Sequence, residues 1–130
     1  MVTDTEKNYQ EWIKKAEEDL ISLESLLKHK DGAPSTACFL AQQAAEKFLK
    51  ALLVYNNQEL EKIHDLIKLS NELGSSFPDI KEIQNDLATI SRYYIETRYP
   101  GDYPEFTWEE CLLALGITQK IRSFVLEKID

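Results

Sequence analysis

The sequence predicts an all-α fold, a compact up-and-down bundle of about five helices. Three observations lead there. Apolar residues recur at three- and four-residue steps along almost the whole chain. Four glycines and four prolines are too few for the many turns of an all-β chain. The breakers that do occur fall between the periodic stretches, as at Gly32–Pro34, Gly74, Pro78 and Pro100-Gly101. At 130 residues the chain is expected to form one domain over 1–130, long enough to bury a core without staples.

The first helix is expected over 4–29, where Tyr9, Trp12, Ile13, Ala16, Leu20, Leu23 and Leu27 lie on one face and Thr3 and Glu6 have capping-box spacing. Its charge runs, Lys14-Lys15 and Glu17-Glu18-Asp19, read as a solvated face. Lys30-Asp31-Gly32-Ala33-Pro34 stops that helix and starts the next, at about 35–56. The second helix is alanine-rich (Ala37, Ala41, Ala44, Ala45), which suits a central helix packed closely by several neighbours. A shorter helix is expected at about 63–75, ending near Gly74. Phe77-Pro78-Asp79 then opens a long fourth helix carrying Ile80, Ile83, Leu87, Ile90 and Tyr94, which ends before Pro100. Thr107 and Glu110 form a second capping box. The final helix runs to about 129 with Cys111, Leu112, Leu115, Ile121, Phe124 and Val125 as its apolar positions.

Composition excludes several classes. The net charge of -8, from 15 basic and 23 acidic residues, argues against broad nonspecific duplex binding, which rests on neutralising phosphates over a wide surface. A small basic pocket remains open. Cys38 and Cys111 sit inside apolar helical stretches with no CxxC or Cys–His spacing, so they read as buried thiols in a reducing compartment, with no metal site and no cofactor. The polar, acidic N-terminus is not a secretory signal and the apolar runs are too short to span a membrane, so a cytoplasmic location is expected.

The densest chemistry lies at Arg92–Pro104, which holds two arginines, four tyrosines and two prolines. An arginine beside a broken helix end can reach phosphate with a planar fork of donors, and tyrosines there can stack on a base or fill an interface. A packed interhelical corner is the alternative. On the second helix Gln42, Glu46 and Lys50 lie at i, i+4 and i+8 and share a face. They form either a polar row facing a cleft or an exposed strip with a weak Glu–Lys pair. His64 and Asp65 open the third helix, where Asp65 favours the positive end of the dipole. His29 reads as a solvent-exposed residue at the end of the first helix.

Three blocks together, Gln42–Ala51, His64-Asp65-Leu66 and Tyr93–Pro100, resemble the HEPN domain family in order and spacing over nearly the whole chain. The resemblance implies a dimerising all-α bundle, often paired with a minimal nucleotidyltransferase in a toxin–antitoxin-like system. Many HEPN proteins are metal-independent ribonucleases whose motif is an arginine followed, after four to six residues, by a histidine. Here Arg98 matches the arginine, and Tyr103 stands where the histidine is expected. That departure weakens the ribonuclease reading. Histidine titrates near pH 6.5, whereas a tyrosine with a pKa near 10 donates a hydrogen bond but is a poor base.

The resemblance therefore implies a homodimeric module binding nucleotide or RNA phosphate beside a nucleotidyltransferase partner. Arg98 would hold phosphate, Glu46 would orient Arg98 or Arg92, and Lys50, Tyr99 and Tyr103 would line the cleft. Tyr103 is also a candidate for adenylylation by that partner. The rivals are a metal-independent endoribonuclease, with Arg98 stabilising the transition state and Tyr103 or His64 handling the proton, and a purely structural helical adaptor.

Overall fold

Helix starts and stops are set by short-range hydrogen bonds that the sequence supplies. In the computed structural model, which describes residues 8–94 and 105–129, Asn8 is extended and its side chain accepts a hydrogen bond from the amide of Gln10. The first described helix, α1, therefore begins at Tyr9 and runs to His29, while residues 4–7 of the expected helix lie outside the described residues. The expected Thr3–Glu6 box lies outside the described residues. Lys30 and Gly32 take left-handed backbone angles that end α1 and turn the chain back. Proline at its first position starts α2, Pro34–Tyr55.

Asp65 accepts from the amides of Ile67 and Lys68 and opens α3, Leu66–Leu73. The long fourth helix expected from Pro78 is instead divided. A 3-10 segment, Pro78–Ile83, leads into α4, Gln84–Ser91, only eight residues long. It ends in a tightened turn, the Tyr93 amide donating to the Ile90 carbonyl and the Tyr94 amide to the Ser91 carbonyl. Within α4, Thr89 Oγ1 donates to the Asn85 carbonyl and Ser91 Oγ to the Leu87 carbonyl. The chain then turns at Arg92 and buries Tyr93 completely. Thr107 caps α5, Trp108–Lys128, by accepting from the Glu110 amide. Among the described residues, three of the five α-helices are thus long, not four.

The fold is all-α among the described residues, with α2 at its centre. Its alanines, all fully buried, let α1 and α5 approach closely on either side, while α3 and α4 close a third. One hydrophobic core joins the helices, filled by Phe48, Leu49, Leu52, Leu87, Ile121 and Tyr93 among others. The charge run on α1 is not wholly solvated. Glu17 accepts from Arg122 of α5 at 2.6 Å and Asp19 from Lys47 of α2 at 2.5 Å, so two of its acids pin α1 to its neighbours. His29 is exposed as expected, its ring on the Ser25 carbonyl. No described helix is long and apolar enough to cross a membrane.

Candidate functional site

Because α2 is flanked on so many sides, even its polar row is covered. Gln42, Glu46 and Lys50 are 0%, 4% and 6% exposed, which overturns the exposed-strip alternative. A buried charge must be paired, and these are. Lys50 Nζ donates to Glu46 Oε2 at 3.0 Å and lies 5.6 Å from the Trp12 ring centre. Gln42 Nε2 donates at 3.4 Å to Glu46 Oε1 and at 3.4 Å to the His64 carbonyl.

The third partner of Glu46 comes from the start of α3. His64 Nδ1 sits 3.0 and 3.1 Å from the two carboxylate oxygens. Facing carboxylate oxygens, Nδ1 is the donor of this pair, and no hydrogen bond to Nε2 occurs among the described residues. The ring stacks on Tyr94, centres 5.0 Å apart and planes 18° off parallel. Tyr94 also stacks with Phe39 at 6.2 Å. His64, Asp65, Ser91 and Tyr94 line a surface recess of about 360 Å3. An imidazole held through Nδ1 at a recess can accept a proton at Nε2 when neutral, or donate from it to a phosphate oxygen when charged.

Glu46, Lys50 and His64 are therefore brought together, and Arg92 is not among them. Its guanidinium lies 3.8 Å from Glu110 and over the rings of Tyr93 and Phe106, so among the described residues Glu110, not Glu46, is its acid. Arg98, Tyr99 and Tyr103 lie outside the described residues. The contribution of Trp12 and Phe39 escapes sequence reading, because each reaches the site from the apolar part of a helix. The His64–Tyr94 stack had one signal in the chain, since both residues fall within the blocks that carry the family resemblance.

A second cluster joins α2 to α5. Cys38 and Cys111 are free and fully buried, their sulfurs 3.0 Å apart, with the Cys111 thiol also 3.1 Å from the Pro34 carbonyl. Burial, reinforced by Cys111, pushes the Cys38 thiol far above the usual range. Burial also raises Cys111, against the lowering effect of its bonds to Cys38. These are inert thiols, not nucleophiles. Burial likewise raises Tyr93, whose hydroxyl has no hydrogen-bond partner among the described residues. No group of three metal-ligating side chains occurs among the described residues.

A family model for the HEPN domain matches residues 9–129. Two solved structures are similar. TT1696 from Thermus thermophilus superposes with a TM-score of 0.82 at 31% identity, covering 93% of this chain and 98% of its own. ST0689, an archaeal HEPN homologue, superposes with a TM-score of 0.76 at 28% identity, covering 95% and 98%. No curated protein matches the chain.

Proposed function

Because the chain belongs to the HEPN domain family, we propose that it works as a homodimeric module that binds nucleotide or RNA phosphate and acts with a minimal nucleotidyltransferase partner, toxin–antitoxin-like. The observation that carries the phosphate reading is His64, held through Nδ1 by a buried carboxylate at the edge of a recess, with no hydrogen bond to Nε2 among the described residues. Holding the ring in advance removes the ordering cost that a mobile surface histidine would meet on binding. Arg98 follows Tyr94 by only four residues in sequence and supplies a second, always-charged phosphate donor. The overall charge of -8 confines such binding to a local site.

Fluorescence anisotropy with a labelled single-stranded RNA, in EDTA at fixed salt, tests this. His64→Ala and Arg98→Ala should each weaken binding by about tenfold, the scale of one lost charge-assisted hydrogen bond. Folded variants that bind as tightly as the natural protein would remove the reading.

The Glu46–His64 pair also favours a second reading, a metal-independent endoribonuclease. His64 Nε2 would take the proton from the ribose 2′-hydroxyl as that oxygen attacks the adjacent phosphorus. The departing 5′-oxygen would receive a proton from Tyr103, and Arg98 would stabilise the charge on phosphate. RNA cut in EDTA, with the rate falling about 10²–10⁴-fold in His64→Ala, would select this reading. An inert protein that gains activity on Tyr103→His would mark a nuclease site lacking its acid–base group.

A further inference from the structure

Two side chains that line the recess beside His64 can only accept hydrogen bonds there. Ser91 Oγ donates its hydrogen to the Leu87 carbonyl at 2.7 Å, which leaves the oxygen lone pairs for a ligand. Asp65 accepts the amides of Ile67 and Lys68 through Oδ1, and its Oδ2 takes no hydrogen bond among the described residues. Beside these acceptors the rings of Phe39, Tyr94 and His64 run near-parallel, with planes 26° and 18° apart in successive pairs. The His64 side chain is 50% exposed although Tyr94 covers one face and Glu46 holds Nδ1. Its open surface is therefore the other face and the outer edge, and a planar group laid on that face extends the stack. We propose that the recess reads a guanine base, stacked on the open face of His64 with its N–H donors on Asp65 and Ser91. The proposal rests on the phosphate reading above and names the base taken at that site.

The choice of base follows from the acceptors. The Watson–Crick edge of guanine sets two donors side by side, N1–H and the N2 amino group, which match the lone pairs of a carboxylate. Adenine and cytosine carry an amino group next to a ring nitrogen that accepts, and uracil carries one N–H between two carbonyls. Each of these turns an acceptor toward Asp65 or Ser91, and acceptor against acceptor leaves both without a partner. A purine also covers more of the imidazole than a pyrimidine does. Phosphate is repelled by the Asp65 carboxylate, so it belongs at the outer edge of His64, in the plane of the ring, while the base lies against the face. The two contacts use different parts of one side chain and do not compete.

Anisotropy of labelled oligouridines carrying one central guanosine, adenosine, cytidine or inosine, in EDTA at fixed salt, tests the assignment. The natural protein should bind the guanosine oligomer about tenfold more tightly than the adenosine, cytidine or all-uridine ones. Inosine, which lacks the N2 amino group, should fall between. Asp65→Asn keeps a side chain suited to capping α3 but turns an amide donor on the base, so the guanosine-to-adenosine ratio should drop to about one. His64→Phe keeps a ring face without Nε2 and should weaken every oligomer while preserving that ratio, whereas His64→Ala should lose the ratio as well. Circular dichroism checks the fold of each variant. Displacement by free guanosine monophosphate identifies a nucleotide as the occupant, and a guanosine oligomer that it does not displace identifies a base within RNA. A natural protein that binds all the oligomers alike overturns the guanine assignment and leaves the phosphate reading standing. A guanosine preference that survives Asp65→Asn overturns the role of Asp65, and binding to no oligomer overturns both readings.

Discussion

Replacing Glu46 by leucine breaks the central ion pair and takes an acceptor from Gln42 and His64 as well. Both members are almost entirely covered, with side-chain exposures of 5% for Glu46 and 7% for Lys50. Removing one partner leaves an ammonium in a low-dielectric setting, and breaking such a pair costs roughly 3–5 kcal/mol. The Trp12 ring offsets part of this, about 0.5–2 kcal/mol, so a net loss near 3 kcal/mol is expected. At this chain length that corresponds to a fall in Tm on the order of 10 °C. Glu46→Leu combined with Lys50→Met removes both charges and should return stability to within about 1 kcal/mol of the natural protein. The double-mutant cycle should then report a coupling of at least about 2 kcal/mol, larger by whatever Lys50→Met costs alone. Urea unfolding followed by far-ultraviolet circular dichroism measures all four corners at one pH. A single variant within about 1 kcal/mol of the parent, or a double variant as unstable as the summed singles, would refute the claim that the pair is buried and mutually dependent.

Two further outcomes concern the α2–α5 seam. With Cys38 and Cys111 raised in the fold, the unfolded chain ionises them first, above about pH 8.5, so the folded state binds more protons and stability falls as pH rises. The slope should approach about 1.4 kcal/mol per pH unit for each thiol and flatten in Cys38→Ala/Cys111→Ala; an unchanged slope in that variant would contradict the assignment. Thiol titration should agree, with the folded protein unreactive until denatured. Tyr93→Phe removes a buried hydroxyl with no partner among the described residues and keeps the ring against Phe106, 4.9 Å away. It should raise stability by about 1 kcal/mol in chemical denaturation, and a loss of that size would mean the hydroxyl is satisfied in solution.

What the sequence made legible was whatever depends on near neighbours. Pro34 at a helix start, Asp65 and Thr107 as caps, and the alanine stripe of α2 act within a turn or two, and each sits where local chemistry puts it. Tertiary choices were hidden. Periodicity could not distinguish Lys50, buried among neighbouring helices, from Leu112, left facing outward. Nor could it show that Arg92 takes Glu110, on α5, in preference to an acid on α2. The fourth helix misled because its apolar spacing continued past Ser91, where the backbone instead tightens, the Tyr93 amide taking the Ile90 carbonyl and the Tyr94 amide the Ser91 carbonyl. Of the site, Glu46 and His64 could each be singled out as residues, but their meeting could not be read from the chain.

Glu46 and Lys50 stand one turn apart on the same helix, so the pitch of α2 alone sets the spacing between acid and ammonium. Half of the polar centre therefore arrives preassembled, and only the imidazole must be delivered from elsewhere. The connection between α2 and α3 can accordingly change in length or composition over generations without spoiling the pair, provided it still sets down one histidine at the mouth of α3. Such an arrangement separates what must be kept from what is free to drift: a fixed couple on a rigid rod, and a single anchored visitor whose tether is open to revision.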